Sequence, residues 1–485
     1  MNKEQFLLLC RTDPEEVFKI IATMGETISV LMARVETLNN QVEALKAENK
    51  ELKARLDKNS RNSNKPPSTD EFIKPKSQRK KSGKKTGGQK GHKGHTLKMS
   101  ETPDEIIIHR PEGCRGCGRL LKEVEPDCIE KRQVFDLPPL NLSVTEHRSE
   151  TLTCPCCGKV NKADFPEGVN QSVQYGNNIK ALLVYLNQYQ LVPYNRTKEF
   201  VEDICGCSIS EATIYNAIET AYEQLGPVET EIIDSLVASA VLNVDETGMR
   251  VEGKRQWLHV ASTKGLTHYK WHPKRGSAAT DEIGILPRIE GILVHDFWKP
   301  YYKYSCGHVL CNTHNIRELT GIFELTEQKW AQDMIELLLE IKKRVDEQKQ
   351  LLEALCPGEI NDFEKRYMAI VAQGYRDNPP PEPVKKRGRK KEGRARNMLN
   401  RLSLHRHEVL AFMNNFSVPF DNNQAERDIR MMKVKQKISG VFRSAKGADM
   451  FCRIRSYIST ARKSSVPIFG AIKAALDGNP FVPEL

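Results

Sequence analysis

No apolar run in this sequence reaches the ~18 residues that a membrane helix needs. The opening MNKEQFLLLC holds too short an apolar segment for a secretory signal. Without an export signal, the 13 cysteines read as thiols and metal ligands, not as a disulfide framework, and the cytoplasm is the expected compartment. Acids are missing from one long stretch. Between Phe72 and Ser100 there is none, against ten Lys or Arg. Few apolar residues, and four glycines from Gly83 to Gly91, preclude a packed core there.

What is present points to a large folded protein with a polyanionic partner. The 485 residues exceed one compact core and suggest three or four units; 39% are hydrophobic and 28% charged. The formal charge is +11 with the basic residues clustered, which favours nucleic acid over membrane. The acid-free stretch, with Lys80, Lys81, Lys84 and Lys85, then reads as an arm that neutralises phosphates with salt-dependent, sequence-tolerant affinity.

Residues 17–57 carry a heptad repeat. Met24, Leu31, Leu38, Leu45 and Leu52 fall at d; Ile21, Ile28, Val35, Val42, Asn49 and Leu56 fall at a. β-branched a residues with Leu at d favour a parallel two-stranded coil, and one Asn at a fixes its register. Glu48 and Lys53 would pair across chains. The following SRNSNKPPSTD reads as linker.

Cys114 and Cys117 lie in CRGCG, and Cys154 and Cys157 in CPCCG, 36 residues further on. Two Cys-x-x-Cys-Gly turns complete a closed tetrahedral four-sulfur site, so the chain is expected to hold one structural Zn²⁺; Cys128 and Cys156 are competing ligands. Residues 175–222 read as an apolar helix, a second helix around Arg196–Ile204, a Gly-containing turn, and a third helix from Glu211 capped by Ser210. That is the helix-turn-helix layout, with Thr213, Tyr215 and Asn216 available to DNA, although a plain bundle uses the same turn.

Next come the acids. SAVLNVDETGMRVEGKRQWLHVASTKGLTHYKWHP reads as three strands joined by Gly turns, the first ending at Asp245; EGILVHDFW reads as a buried strand ending at Asp296. GHVLCNTHNIREL reads as an apolar strand running into a helix. In DNNQAERDIRMMKVKQK a helix begins near Asn423, with Glu426 in its first turn. Asn423 and Glu426 fit a capping box, so the acid could simply stabilise the helix start. Alternatively, Asp245, Asp296 and Glu426 converge on one sheet edge and hold two hard divalent cations, Mg²⁺ or Mn²⁺. Arg430, Lys433 and Lys437 share the helix face of Glu426, and with Arg427 would grip the entering strand.

Together, VDETGMRV, HDFWKPYY, CNTHNIREL and DNNQAERDIR, with the coil, the basic segment and the paired CxxC, resemble the DDE transposases of the insertion-sequence-66 family. The resemblance covers nearly all of the chain. It implies a multidomain α/β protein: a coiled coil (1–60), a basic flexible linker (61–103), a small zinc-ribbon-like domain (104–165) and a helix-turn-helix-like DNA-binding domain (170–228). An RNase H-like, retroviral-integrase-like core (235–321 and 413–465) follows, with a C-terminal tail (466–485). It implies Asp245, Asp296 and Glu426 as the catalytic triad, with two Mg²⁺ or Mn²⁺ per active site. The 130 residues between Asp296 and Glu426 require an insertion, assigned to 322–412. Its second half, NPPPEPVKKRGRKKEGRARNML, reads as an extended basic loop in which Arg387 and Arg389 contact DNA. Around His314 the family has a longer basic pattern, whereas here Arg317 alone follows closely; both join the candidate site residues. Glu318 and Asp421 stand in reserve as third acid. Expected partners are double-stranded DNA (element ends and target), a second copy through the coil, and accessory proteins of the same element, in a bacterial nucleoid. Two alternatives remain open: a catalytically idle DNA-binding protein derived from a transposase, and a metal-dependent structural nuclease.

Overall fold

The computed structural model describes residues 3–63, 97–138, 140–380 and 392–483. Lys80, Lys81, Lys84 and Lys85 of the basic arm, and Arg387 and Arg389 of the insertion, lie outside the described residues.

The chain starts with a short helix α1 (Lys3–Thr12) and the 43-residue α2 (Pro14–Leu56). Asp13 caps α2 by accepting from the Glu16 N–H, and Pro14 fills the first helical position, where no N–H partner is needed. The heptad row points into solvent: Leu31, Val35, Leu38, Val42 and Leu45 are 46–63% exposed. The segment after α2 differs from the expected linker. Asn59 and Asn62 tie residues 59–62 into a compact turn, each side-chain oxygen accepting a backbone N–H of that turn. Asn62 is buried, which anchors the end of α2 to the body of the protein.

The cysteine knuckles sit on small antiparallel pairings. The second crosses from β1 (Thr151–Thr153) to β2 (Val160–Lys162); the first is closed by a single bridge between Gly113 and Leu120.

Helix α3 (Asn177–Val184) runs into a π-helical turn (Tyr185–Tyr189) and is followed by α4 (Tyr194–Cys205), α5 (Glu211–Gln224) and α6 (Gly226–Val237). As expected, Gly206 ends α4 and Ser210 caps α5 through the Thr213 N–H. A separate unit over 170–228 is not what forms. One apolar core joins Val201, Ile214 and Ile218 of these helices to Leu242, Val244 and Ala261 of the sheet.

The sheet comprises β3 (Val241–Val251), β4 (Lys254–Ser262), β5 (Thr267–His272), β6 (Ile292–His295) and β7 (Gly307–Leu310), in the order β5-β4-β3-β6-β7. The first three strands are antiparallel; β6 and β7 run parallel to β3. Contrary to expectation, the first strand does not end at Asp245. Gly248 lies within β3, opposite Trp257, and the hairpin turns at Glu252 and Gly253. Asp245 stands two residues past Asn243, the last β3 residue paired with β6.

Helix α7 (Ser277–Ile283) precedes β6, and α8 (Asn312–Thr326) follows β7. Then come α9 (Lys329–Gln348), α10 (Pro357–Asp377), α11 (Arg394–Leu404) and α12 (Arg406–Asn414). The described residues of the stretch expected as an insertion are therefore largely helical, although α8 runs on to Thr326 within it, and Arg394 and Arg396 belong to a helix, not to an extended loop. Trp330, Tyr367, Leu399 and Phe412 pack with Val294 and Val309 of the sheet. Helix α13 (Asn423–Ser439) lies across β3 through Ala425, Ile429 and Met432. Helix α14 (Ala445–Lys463) protects the edge of β5, where Ser456 and Thr460 accept the N–H groups of Tyr269 and Thr267. Residues 466–485 are more than a tail: α15 (Ile468–Leu476) buries Ala471, Ile472 and Ala475 in the core shared with α3 and α5.

Candidate active site

Strand alternation sorts the side chains of β3. Asp245 shares a face with Asn243, Met249 and Val251, the face that α13 covers; Glu246 points to the other. Continuing the parallel register of Asn243 with Val294 brings Asp245 level with Asp296, directly after β6. There the chain turns sharply. Phe297 takes a left-handed conformation (φ 71°), and the Asp296 carboxylate accepts the Trp298 N–H at 3.2 Å. Strain of this kind persists where surrounding structure fixes it, and here the Phe297 ring is held under Arg401.

Glu426 arrives from α13, and the loop before it is sewn in place. Asn422 is buried; its side chain donates to the Val244 carbonyl at 2.7 Å and accepts from Asn243 at 2.9 Å. Its N–H donates to Cys311 Sγ at 3.2 Å, and the Asn312 N–H donates to the Phe420 carbonyl at 3.1 Å. The capping box does not form. Asn422, not Asn423, precedes the helix, without a side-chain cap, and Asp421 accepts the Asn423 N–H instead. Glu426 Oε1 is buried with no hydrogen-bond partner. Its neighbours are His314 Nδ1 at 3.8 Å and Arg317 at 4.0 Å. Of the reserve acids, Glu318 is held by Arg401 at 3.0 and 3.1 Å.

Electrostatics tie the three acids together. Loss of water around Asp245 pushes its carboxyl well above the usual range; the charges of Glu246, Asp296 and Glu426 add to the push. Removal from water pulls His314 down, against the opposing pull of Glu426 and Asp296. Mutually repelling carboxylates with a buried, partnerless oxygen are the surroundings a divalent cation would relieve, so the donor set fits the hard cation expected of it. Even so, Asp245, Asp296 and Glu426 do not form a group with all ligand atoms within 4.8 Å. Among the described residues, Cys311, His314 and Glu426 form such a group.

Three residues near the acids, Glu246, Arg275 and Asn422, are not among the candidate site residues that the sequence motifs single out. Glu246 receives Arg275 and the Tyr301 hydroxyl, and its own carboxyl is raised, first by burial and then by Asp296. Arg275 in turn lies between the rings of Trp257 and Trp298, at 4.9 and 4.6 Å. Asn422 could have been read only from the tertiary contacts it makes.

Along α13, Arg427, Arg430 and Lys437 are exposed, and Lys433 approaches the Gly248 carbonyl at 3.4 Å. Lys435 turns the other way, over Phe442 and Phe451, where burial pulls it down to about 8.

The knuckles adopt matching turns. Gly118 and Gly158, with φ of 78° and 71°, donate to the Cys114 and Cys154 carbonyls at 2.9 Å. Backbone N–H groups of Cys117 and Gly116 hold the Cys114 thiol below its usual range, and Cys157 and Cys156 do the same for Cys154. Thiols disposed toward thiolate suit a zinc ligand set. The two pairs are not drawn into one group within 4.8 Å.

Residues 172–450 match the family model described as Transposase IS66 family, and residues 111–158, including all four knuckle cysteines, match the zinc-finger binding domain of transposase IS66. Residues 18–98 match a family of unknown function. No curated protein matches the chain.

Proposed function

The chain belongs to the IS66 family of transposases, and from that premise we propose that it acts on DNA as a DDE-type enzyme, with Asp245, Asp296 and Glu426 as its catalytic acids. The sheet order supports an RNase H-like core: three antiparallel strands followed by two parallel ones, with the acids in the middle strand, after its parallel neighbour and on the covering helix. The observation that carries the reading is Glu426 itself. It is free of a capping box, its Oε1 is buried without a partner, and its helix start is fixed by Asn422 to the strand that bears Asp245.

Asp245, Asp296 and Glu426 would hold divalent ions, which supply Lewis-acid activation of water or a 3′-hydroxyl and stabilisation of the leaving oxygen. The rest of the work falls to the chain. Asn422 holds the first turn of α13 level with β3, which keeps Glu426 near Asp245. Arg427, Arg430 and Lys437 offer exposed charge to a phosphate backbone beside that turn. Glu246, on the far face, keeps Arg275 stacked between two tryptophans, with the guanidinium partly open to solvent. Cleavage would expose 3′-hydroxyls at the element ends, and each would attack target DNA in line, with no covalent protein intermediate.

The paired knuckles and the zinc-finger match support one structural Zn²⁺. The exposed row of α2 supports parallel self-association, and the α4–α5 pair supports a DNA-binding role. A linear duplex ending in the element's terminal repeat, incubated with protein and Mg²⁺, tests the proposal. Nicking at the 3′ end followed by joining to a second duplex is expected. Cutting that ignores the terminal repeat would mean a structural nuclease; a gel shift without cutting would mean an idle DNA-binding protein.

A further inference from the structure

Cys311 and His314 begin α8 in a C-x2-H spacing. Cys311 is the residue before the helix, and its carbonyl accepts the His314 N–H at 3.2 Å. Glu426 enters from α13, and the ligand atoms of all three residues lie within 4.8 Å of one another. At 3.8 Å, His314 Nδ1 and Glu426 Oε1 are too far apart for a hydrogen bond, and each is buried with no partner. Two facing polar atoms left this way are costly, and a cation between them would satisfy both.

The donors are one thiol, one imidazole and one carboxylate. That mixture matches Zn²⁺ and differs from the all-oxygen shell that Mg²⁺ prefers. We infer that Cys311, His314 and Glu426 form a second zinc site, separate from the knuckles, with its fourth position open. Binding replaces the Cys311 thiol proton with a sulfur–zinc bond and releases the proton to solvent. The Asn422 N–H already donates to that sulfur at 3.2 Å and would remain as support for the thiolate.

Resting on the proposed catalytic role of Glu426, the same geometry makes zinc an inhibitor: a carboxylate engaged with zinc is withdrawn from the Mg²⁺ site. The experiment uses the full chain, dialysed against micromolar ZnCl₂ and assayed for bound metal. Wild type should hold one equivalent more than Cys311→Ser, whose hydroxyl can still accept the Asn422 N–H. His314→Gln serves as the second variant should Cys311→Ser fail to fold. In Mg²⁺-supported end cleavage, half-inhibition of Cys311→Ser should need about tenfold more zinc or higher. Equal zinc content in wild type and variants overturns the site. Extra zinc in wild type together with unchanged inhibition keeps the site but overturns its inhibitory role. A wild type inactive in Mg²⁺ would count against the catalytic reading alone, since the zinc count needs no turnover.

Discussion

Asp245 carries the electrostatic tension of the site. Its folded-state carboxyl titrates well above the ordinary range because it has lost water and faces other acids. In the unfolded chain the same group titrates near ~3.9. Between these two points the folded state binds more protons, so this group's contribution falls as pH rises from the unfolded value through the folded one. At neutral pH, above the unfolded value, the metal-free protein therefore bears a penalty from this group. Asp245→Asn removes the charge and should raise the thermal midpoint of metal-free protein at pH 7 by a few degrees, with no such gain at pH 4. Equal shifts at both pH values would refute the electrostatic origin. The gain should come with loss of cleavage, the usual exchange at a strained site.

At the scale of elements, α8 and the turn after α2 meet too closely for any side chain but hydrogen. A Cβ on Gly321 would lie 2.1 Å from the Asn62 carbonyl oxygen. Gly→Ala inside a helix ordinarily stabilises by about 0.5–1 kcal/mol. Here Gly321→Ala should instead destabilise, by roughly 1–3 kcal/mol, and should speed proteolysis around residues 57–63. An unchanged or raised midpoint would mean that the turn does not dock there. The coil makes a second element-scale prediction. Residues 14–57 alone should sediment as a dimer at tens of micromolar, and Asn49→Leu should raise its stability while loosening the choice of oligomer; a monomer would contradict the heptad reading. Much of this was legible in sequence. The helix α2 with its heptads, the Ser210 cap, the three-strand run and the helices around residues 329–348 follow from periodicity and turn chemistry. The docking of Asn62 and the packing of α15 were not legible, because each depends on partners hundreds of residues away, and the core shared by α5 and the sheet was not, because it joins two different elements. Asp245 was misread as a strand end because Gly248 looked like a turn, whereas β4 pairs straight past it.

For the whole molecule, basic residues cluster in the sequence before the zinc finger and along α13, whose first turn also carries Glu426. Deleting residues 74–98 should weaken binding to all DNA and flatten its salt dependence, leaving sequence preference largely intact. Lost preference at unchanged non-specific affinity would contradict that division. Motifs proposed the three acids, but not the contacts around them: Asn422 bridges Val244, Asn243 and Cys311 through tertiary contacts alone. The central claim is that Glu426 is a catalytic acid. Its most direct test is end cleavage and strand transfer by Glu426→Gln in Mg²⁺, beside wild type, with DNA binding checked by gel shift. Both reactions should be abolished while binding and folding persist. Activity within a few-fold of wild type would contradict it, and would return Glu426 to the role of a helix-start acid.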